Sequence, residues 1–151
     1  MTSLEDAALA VKRLQHRHHR AFTEALADLD VSLVQWDTLR HLRHHPDASL
    51  HQLAQLTFQT DQSFGTLAAR MVERGLLERV DGPGRAVRHR ITTKGEQIRA
   101  DGERRIREVR RRSFAGLSAA QIDQLTHLLD IVLTTPLEQT SPPKPRTRRA
   151  R

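Results

Sequence analysis

The spacing of apolar residues changes at residue 76, from a helical period before it to the period of short strands after it. Before this point, the sequence Ser-Leu-His-Gln at 49–52 predicts a helix start, because the serine hydroxyl and the glutamine amide can satisfy free backbone N–H groups. A second helix is predicted after the polar residues 57–60, and Gly75 is suited to end it. Two short capped helices with a four-residue joint indicate a helix-turn-helix.

Two β-like runs follow this helix pair, at residues 76–80 and 86–91. They lie on either side of Asp81-Gly-Pro-Gly84, which cannot continue a helix and predicts a turn. A two-stranded hairpin directly after the second helix of a helix-turn-helix is a wing. We therefore predict a winged helix-turn-helix over residues 32–92, in which a further helix beginning at Ser32 precedes the two short ones.

Amphipathic helices flank this region on both sides. Apolar residues recur at spacings of three and four over residues 4–29, with His18 on the same stripe, and a further helical region is predicted over 93–134. Its first helix is expected to be capped by Thr93 and its last by Ser118. No sheet is predicted that could cover these stripes, so we expect them to pack on each other and on a second copy of the chain. The prediction is a mainly α fold with a helical dimerisation region at residues 1–31 and 93–135, a winged helix-turn-helix DNA-binding domain at 32–92, and a basic disordered tail at 136–151.

The composition narrows the class of protein. The chain of 151 residues has a formal net charge of +7, but residues 137–151 contain five basic residues and one acidic residue. Charge alone is therefore a weak indication of nucleic-acid binding. The chain contains no cysteine, which excludes disulfides and thiol switches within it. No apolar run approaches the roughly 20 residues that span a bilayer, and the N-terminus lacks the apolar segment of a signal peptide. A cytoplasmic protein without membrane association is expected.

Residues 53–77, LAQLTFQTDQSFGTLAARMVERGLL, resemble the helix-turn-recognition-helix of the MarR family of transcriptional regulators. In that family a wing and a Leu/Ile-Thr-x-x-Gly sequence follow, and residues 91–95 read Ile-Thr-Thr-Lys-Gly here. The resemblance extends over residues 4–135. It implies a homodimer that represses transcription from a palindromic operator in double-stranded DNA. It also implies release by a small-molecule effector, bound in a cleft between the dimer helices and the winged domain.

The second helix of the pair is predicted to read DNA with the side chains of its outer face. With Phe64, Leu67 and Met71 directed inward, polar residues remain outside. Gln pairs with adenine, Arg with guanine or phosphate, and Ser and Thr with either strand. An isolated polar face is more often only solvated, but the adjacent wing and flanking helices favour DNA binding. The candidate DNA-reading residues are Thr60, Gln62, Ser63, Thr66 and Arg70, with Gly65 permitting close approach.

The wing supplies candidates for contacts to the DNA backbone. The MarR family commonly carries an Asp-Arg pair at the wing tip, whereas the matching positions here are Pro83-Gly84, followed by Arg85. Arg85 is the candidate DNA-binding residue at the tip. Arg88 and Arg90 are candidates for contacts to phosphates or the minor groove.

The histidines and the single tryptophan leave further roles open. By resemblance to the family, His18 and Trp36 are candidates for the effector cleft, although a lone tryptophan is more often a core residue. If His18 is buried at the dimer seam, its titration would make stability or DNA affinity pH-dependent. His41 and His45 have the i,i+4 spacing that lets two imidazoles share an ion, but metal sites need three or four convergent ligands. We predict neither a metal site nor a cofactor.

An enzyme is not expected, because the sequence has no phosphate-binding loop, no nucleophile elbow and no dinucleotide-binding glycine pattern. Two alternatives remain open. One is a metal-responsive regulator of the same fold, for which a chelator is the test. The other is a nonspecific architectural DNA-binding protein, for which competition with random DNA is the test.

Overall fold

The computed structural model describes residues 3–82, 84 and 86–137. Its elements are α1 (Leu4–Leu26), a 3₁₀ turn (Ala27–Leu29), α2 (Leu33–His44), α3 (Leu50–Leu56), α4 (Asp61–Glu73), β1 (Leu77–Asp81), β2 (Val87–Ile91), α5 (Thr93–Ser113) and α6 (Ala119–Thr134). This order confirms the predicted mainly α fold with a winged helix-turn-helix. Residues 3–113 form one compact unit and residues 114–137 another.

Serine residues set the starts of four helices. Ser3, Ser32, Ser49 and Ser118 each accept a hydrogen bond from the backbone N–H three residues on, and the side chain at that residue accepts one from the serine N–H. Each reciprocal pair satisfies two backbone donors that a helix start leaves free. The helix starts predicted at Ser32, Ser49 and Ser118 are confirmed.

The start of α5 corrects the sequence prediction by one residue. Thr92, not Thr93, caps this helix: its hydroxyl accepts a hydrogen bond from the Gly95 N–H at 3.0 Å and donates one to the Gly75 carbonyl at 2.5 Å. Either threonine is chemically suited to cap a helix. The nearby Gly75 carbonyl favours Thr92, whose single hydroxyl joins the start of α5 to the segment that ends α4.

α1 reaches the core only near its C-terminal end. Leu26 is fully buried and Phe22 packs against the same core, whereas Leu4 and Val11 of the predicted apolar stripe are exposed. The helix continues as a 3₁₀ turn and stops at Asp30, which has a φ of +54°. Asp is one of the few residues besides Gly that adopt this conformation readily, and the helical region ends here, as the apolar stripe over residues 4–29 predicts.

Trp36 of α2 is the largest fully buried side chain in the described part of the chain. Its indole N–H donates a hydrogen bond to the Arg99 carbonyl of α5 at 3.1 Å. On the next turn of α5, Gly102 leaves room for the indole ring, because a Cβ atom there would lie 2.3 Å from the Trp36 Nε1 atom. A glycine therefore allows α5 to approach α2 at this point.

The joint between α3 and α4 is a tight turn. The buried Thr57 hydroxyl donates a hydrogen bond to the Leu53 carbonyl at 2.7 Å, and the Gln59 N–H donates one to a carbonyl of the last turn of α3 at 2.8 Å. Phe58, between them, has a φ of +56°. Thr60 then caps α4. The four-residue joint predicted from the sequence is confirmed.

β1 and β2 form an antiparallel hairpin in which Leu77 lies opposite Ile91 and Asp81 lies opposite Val87. Gly75, which precedes the hairpin, has a φ of +70°, the conformation expected of a glycine that follows a helix. The Gly82 N–H donates to the Ala86 carbonyl at 2.9 Å, beyond the last strand pair. The predicted wing is confirmed, with strands that begin one residue later than the sequence indicates.

α6 makes up most of the second unit. It begins after Ser118, as predicted, and none of its residues is buried. Val132 and Leu133 are 71% and 80% exposed. Although α6 is apolar, none of the helices in the described residues is long and apolar enough to cross a membrane.

Candidate nucleic-acid interface

α4 presents an apolar face to the core and a polar face to solvent. Phe64, Ala68 and Met71 are buried, as the sequence predicts. The predicted polar outer face is confirmed, because all five of its residues are exposed: Thr60, Gln62, Ser63, Thr66 and Arg70.

These five side chains differ in the hydrogen bonds that they form within the protein. The Thr60 hydroxyl accepts a hydrogen bond from the Ser63 N–H at 3.1 Å and donates one to the Ser63 hydroxyl at 3.0 Å, so this pair caps the helix. Thr66 donates to the backbone carbonyl of Gln62 at 3.3 Å. Among the described residues, the Gln62 carboxamide and the Arg70 guanidinium have no hydrogen-bond or ion-pair partner. These two side chains have all of their donors available to a ligand.

A histidine–aspartate pair beside this face was missed by the sequence reasoning. The imidazole Nδ1 of His51, on α3, lies 2.8 Å from a carboxylate oxygen of Asp61, the first residue of α4. Both side chains are exposed. The carboxylate also sits favourably at the positive end of the helix dipole. The pair joins the two helices of the helix-turn-helix, and ten residues of sequence separation leave no periodic signal for it.

The wing directs Arg88 and Arg90 to the same side of the hairpin, since residues two apart on a strand face the same way. Arg90 donates to a carboxylate oxygen of Glu78 at 2.7 Å, directly across the two strands. Arg88 is half-buried, and among the described residues it has no acidic partner. The predicted tip residue Arg85 lies outside the described residues. Of the two candidate DNA-binding arginines of β2, Arg88 is the one without an ion pair within the described part of the chain.

His89 is buried on the opposite side of the wing, where it lies across from Arg79. It is 5% exposed. Burial lowers the pKa of His89, and the positive charge of Arg79 lowers it further. A neutral imidazole can thus occupy an inner position of the wing. The sequence pattern does not single out His89, because strand alternation alone does not say which side of the hairpin faces inward.

Comparison with known proteins bears on this arrangement. Residues 29–86 match the model of the MarR family. The chain is also 27% identical over 122 residues to the HTH-type transcriptional repressor IacR of Pseudomonas putida, an alignment that covers 80% of this chain and 73% of that protein. The chain is therefore similar to MarR proteins, and the family model covers the predicted winged helix-turn-helix.

Solved structures of MarR proteins share the fold. The apo form of wild-type MarR from E. coli has a TM-score of 0.72 at 21% identity, covering 88% of this chain and 98% of that one. A mutant of the same protein complexed with operator DNA has a TM-score of 0.73 at 22% identity, covering 87% and 99%. A MarR family protein of Mycobacterium tuberculosis in complex with salicylic acid has a TM-score of 0.68 at 22% identity, covering 87% and 97%.

The two effector candidates, Trp36 and His18, have different environments. Trp36 is 2% exposed, so in the single chain its ring is a core group with almost no surface for a ligand. His18 is half-buried, its Nε2 atom lies 2.7 Å from the Ser113 hydroxyl, and its ring stacks on Phe22 at 5.3 Å. Burial lowers the pKa of His18, and the charges of Arg17 and Arg110 add to the effect. A cleft of about 580 Å³ at the root of the wing is lined by neither candidate.

One member of the predicted histidine pair, His41 on α2, is engaged with other side chains. The His41 imidazole lies 3.4 Å from an Asp37 carboxylate oxygen and 3.1 Å from the Arg40 guanidinium. Burial lowers the pKa of His41, against the opposing effect of the Asp37 charge. Within the described residues, no group of three or more histidine, aspartate or glutamate side chains is arranged to hold a metal ion.

Proposed function

We propose that this chain is a transcriptional repressor of the MarR type that binds a palindromic DNA operator as a homodimer. α4 is the recognition helix and lies in the major groove, with the wing along the adjacent backbone. The observation that carries the proposal is the exposed polar face of α4, on which Gln62 and Arg70 have no partner among the described residues. A buried apolar face opposite holds this helix rigidly on the core.

The chemistry of that face suits base recognition. A glutamine carboxamide pairs with both the acceptor and the donor of adenine, and an arginine guanidinium pairs with both acceptors of guanine. Thr66, one turn from Gln62, adds a hydroxyl on the same face. Arg88 of the wing supplies a charge for phosphate, which adds affinity without sequence selectivity. One protein of the same fold, a mutant MarR from E. coli, has been solved in complex with operator DNA.

Dimerisation is proposed from apolar surface that each unit leaves exposed. In the first unit, Leu4 and Val11 lie on the outer part of α1, and in the second, Val132 and Leu133 lie on α6. Exposed leucine and valine in such number favour burial against a second copy of the chain. A two-fold dimer would present two recognition helices, so the half-sites of its operator are expected about one helical turn, roughly 10 bp, apart.

Control by a small molecule is the remaining part of the proposal. An effector would favour a dimer geometry in which the separation of the two recognition helices no longer matches the operator. Salicylic acid is the ligand named for one related fold. Of the two effector candidates, His18 keeps exposed surface in the single chain and Trp36 does not.

Selection of genomic DNA fragments by the purified protein, with excess random competitor at physiological salt, tests this function. A palindrome with half-sites one turn apart, preferred over random DNA by ~10³ or more, is the expected result. The matched control is Gln62→Ala, which should lose the preference at one position of each half-site while remaining folded. Sequence-blind recovery would contradict the proposal and favour an architectural protein, and a preference that a chelator abolishes would favour a metal-responsive regulator.

A further inference from the structure

Phe58 is an aromatic side chain that the fold does not use. It lies in the turn between α3 and α4 and is 95% exposed. A side chain this exposed removes almost no apolar surface from water, so it contributes little to folding. Packing within the chain therefore does not explain why an aromatic residue stands at this position.

The backbone at Phe58 makes an aromatic residue costly there. Its φ of +56° is in the left-handed region, where the Cβ atom approaches the following carbonyl oxygen. Glycine avoids this contact, and Asn and Asp tolerate it. Asp30, the other described residue besides glycine with a positive φ, belongs to the tolerant class. Phe58 does not.

The turn, and not the phenylalanine side chain, sets the left-handed conformation of this residue. The Phe58 N–H donates a hydrogen bond to the Gln55 carbonyl at 3.2 Å, and the Gln59 N–H donates one to the Ala54 carbonyl at 2.8 Å. These bonds hold residue 58 in the left-handed conformation whatever its side chain. Glycine would occupy the same turn without strain. A strained residue that folding does not require is the kind found at functional sites.

The position of Phe58 relates it to DNA recognition. Thr60, the cap of α4, is two residues away, so the Cα atoms of the two residues are at most about 7.6 Å apart. When the N-terminal part of α4 lies in the major groove, the turn before it lies at the edge of the groove. The C5-methyl group of thymine is exposed in that groove, and an apolar side chain such as Phe is one of the groups that recognise it.

We infer that Phe58 is a further DNA-contacting residue, whose ring packs on the methyl group of a thymine in each operator half-site. The inference rests on the proposed function and adds an apolar contact to the polar ones of α4. The left-handed conformation of Phe58 then costs stability in the free protein and is retained for binding. Two consequences follow: removal of the ring weakens binding, and replacement by glycine also stabilises the fold.

The test measures binding of wild type, F58G and F58A to the selected operator and to copies in which single thymines are replaced by deoxyuridine, which lacks the methyl group. Both variants should bind the operator on the order of tenfold more weakly than wild type. At one position of each half-site, deoxyuridine should weaken wild-type binding but leave F58G binding unchanged. F58G should melt at a higher temperature than F58A, because only glycine relieves the strain. Gln55→Ala, an exposed change on α3, is the matched control and should behave as wild type.

Other outcomes overturn the inference. If F58G binds the operator as tightly as wild type, Phe58 does not contact DNA, even if the proposed repressor function stands. If F58G and wild type lose the same affinity at every deoxyuridine, the ring does not contact a thymine methyl. Normal DNA binding combined with lost repression in cells would assign Phe58 to a protein partner instead. Failure of the wild-type protein itself to prefer any sequence would instead overturn the proposed function.

Discussion

α4 and α5 both expose arginine side chains, but those of α5 are mostly held by acidic partners. On α5, Arg99 lies 2.8 Å from Glu96, and Arg111 and Arg112 lie 2.8 Å and 2.6 Å from Glu108. Hydrogen bonds from Arg111 and Arg112 lower the pKa of Glu108 to about 2. Arg70 of α4 has no such partner among the described residues. The number of arginines on a helix is therefore a poor indication of DNA binding, and the number left without an ion pair is a better one.

Two glycine residues show a similar difference between α5 and α4. On α5, Gly102 is pressed against the Trp36 ring, and a Cβ atom there would lie 2.3 Å from the indole nitrogen. On α4, a Cβ atom at Gly65 would have no atom outside its own helix within 4 Å. The first glycine is required by packing inside the chain, whereas nothing inside the chain requires the second. The glycine of α5 thus serves packing inside the fold, whereas the glycine of α4 leaves open space beside its helix.

Gly102→Ala should have the largest effect. Because the new methyl group would overlap a buried indole, we expect a loss of about 1–3 kcal/mol in the free energy of unfolding. Urea denaturation monitored by the fluorescence of Trp36, the only tryptophan, measures it. An unchanged urea midpoint would mean that α5 does not pack on Trp36 as closely as described.

Arg70→Ala should weaken specific DNA binding by roughly tenfold or more, since one arginine that pairs with a base is worth about 1–3 kcal/mol. Arg111→Ala is the matched control, because it removes an arginine that is also exposed but is paired with Glu108. Operator binding measured by fluorescence anisotropy at two salt concentrations distinguishes base from phosphate contacts. If both variants lost the same operator affinity, the unpaired arginine of α4 would be no more important for DNA binding than the paired arginine of α5.

Gly65→Ala should raise stability by about 0.5–1 kcal/mol, because alanine is the better helix former and has space here. If Gly65 allows close approach to DNA, the same change lowers operator affinity. Thermal unfolding and DNA binding of one protein preparation measure the two effects. A gain in stability without any loss in affinity would show that α4 does not approach the DNA at this residue.

The smallest expected effect is a pH dependence of stability from the buried His89. Since burial holds its pKa below 6.5, the unfolded chain binds a proton more readily than the folded one. The stability that comes from keeping His89 neutral is complete above about pH 6.5 and is lost as the pH falls toward the pKa of the folded state. The pKa values of His18 and His41 are also lowered, so these residues change the stability in the same direction. Urea midpoints from about pH 7.5 to about pH 5.5 measure this trend. His89→Gln should reduce the difference between the two ends of that range, and a midpoint that rises as the pH falls would contradict the sign.

Much of the fold and of the α4 face was predictable because the responsible interactions are local. A capping serine and its partner are three residues apart, so the starts of three helices could be predicted from Ser32, Ser49 and Ser118. The end of α4 could be predicted from Gly75, because a glycine that follows a helix is also a local signal. The spacing of apolar residues by three and four positions on α4 likewise predicted which of its side chains are exposed.

The features that escaped prediction depend on residues far apart in the chain. Thr92 caps α5, in place of Thr93, because its hydroxyl lies beside the Gly75 carbonyl. Arg90 forms an ion pair because the strand register places it opposite Glu78. Trp36 and Arg99 are 63 positions apart in the sequence, and no local pattern predicts the hydrogen bond between them. Periodicity along one segment reports which side of that segment is apolar. It cannot report which segment will pack against it, and that contact selects the groups that are buried, paired or left free to bind DNA.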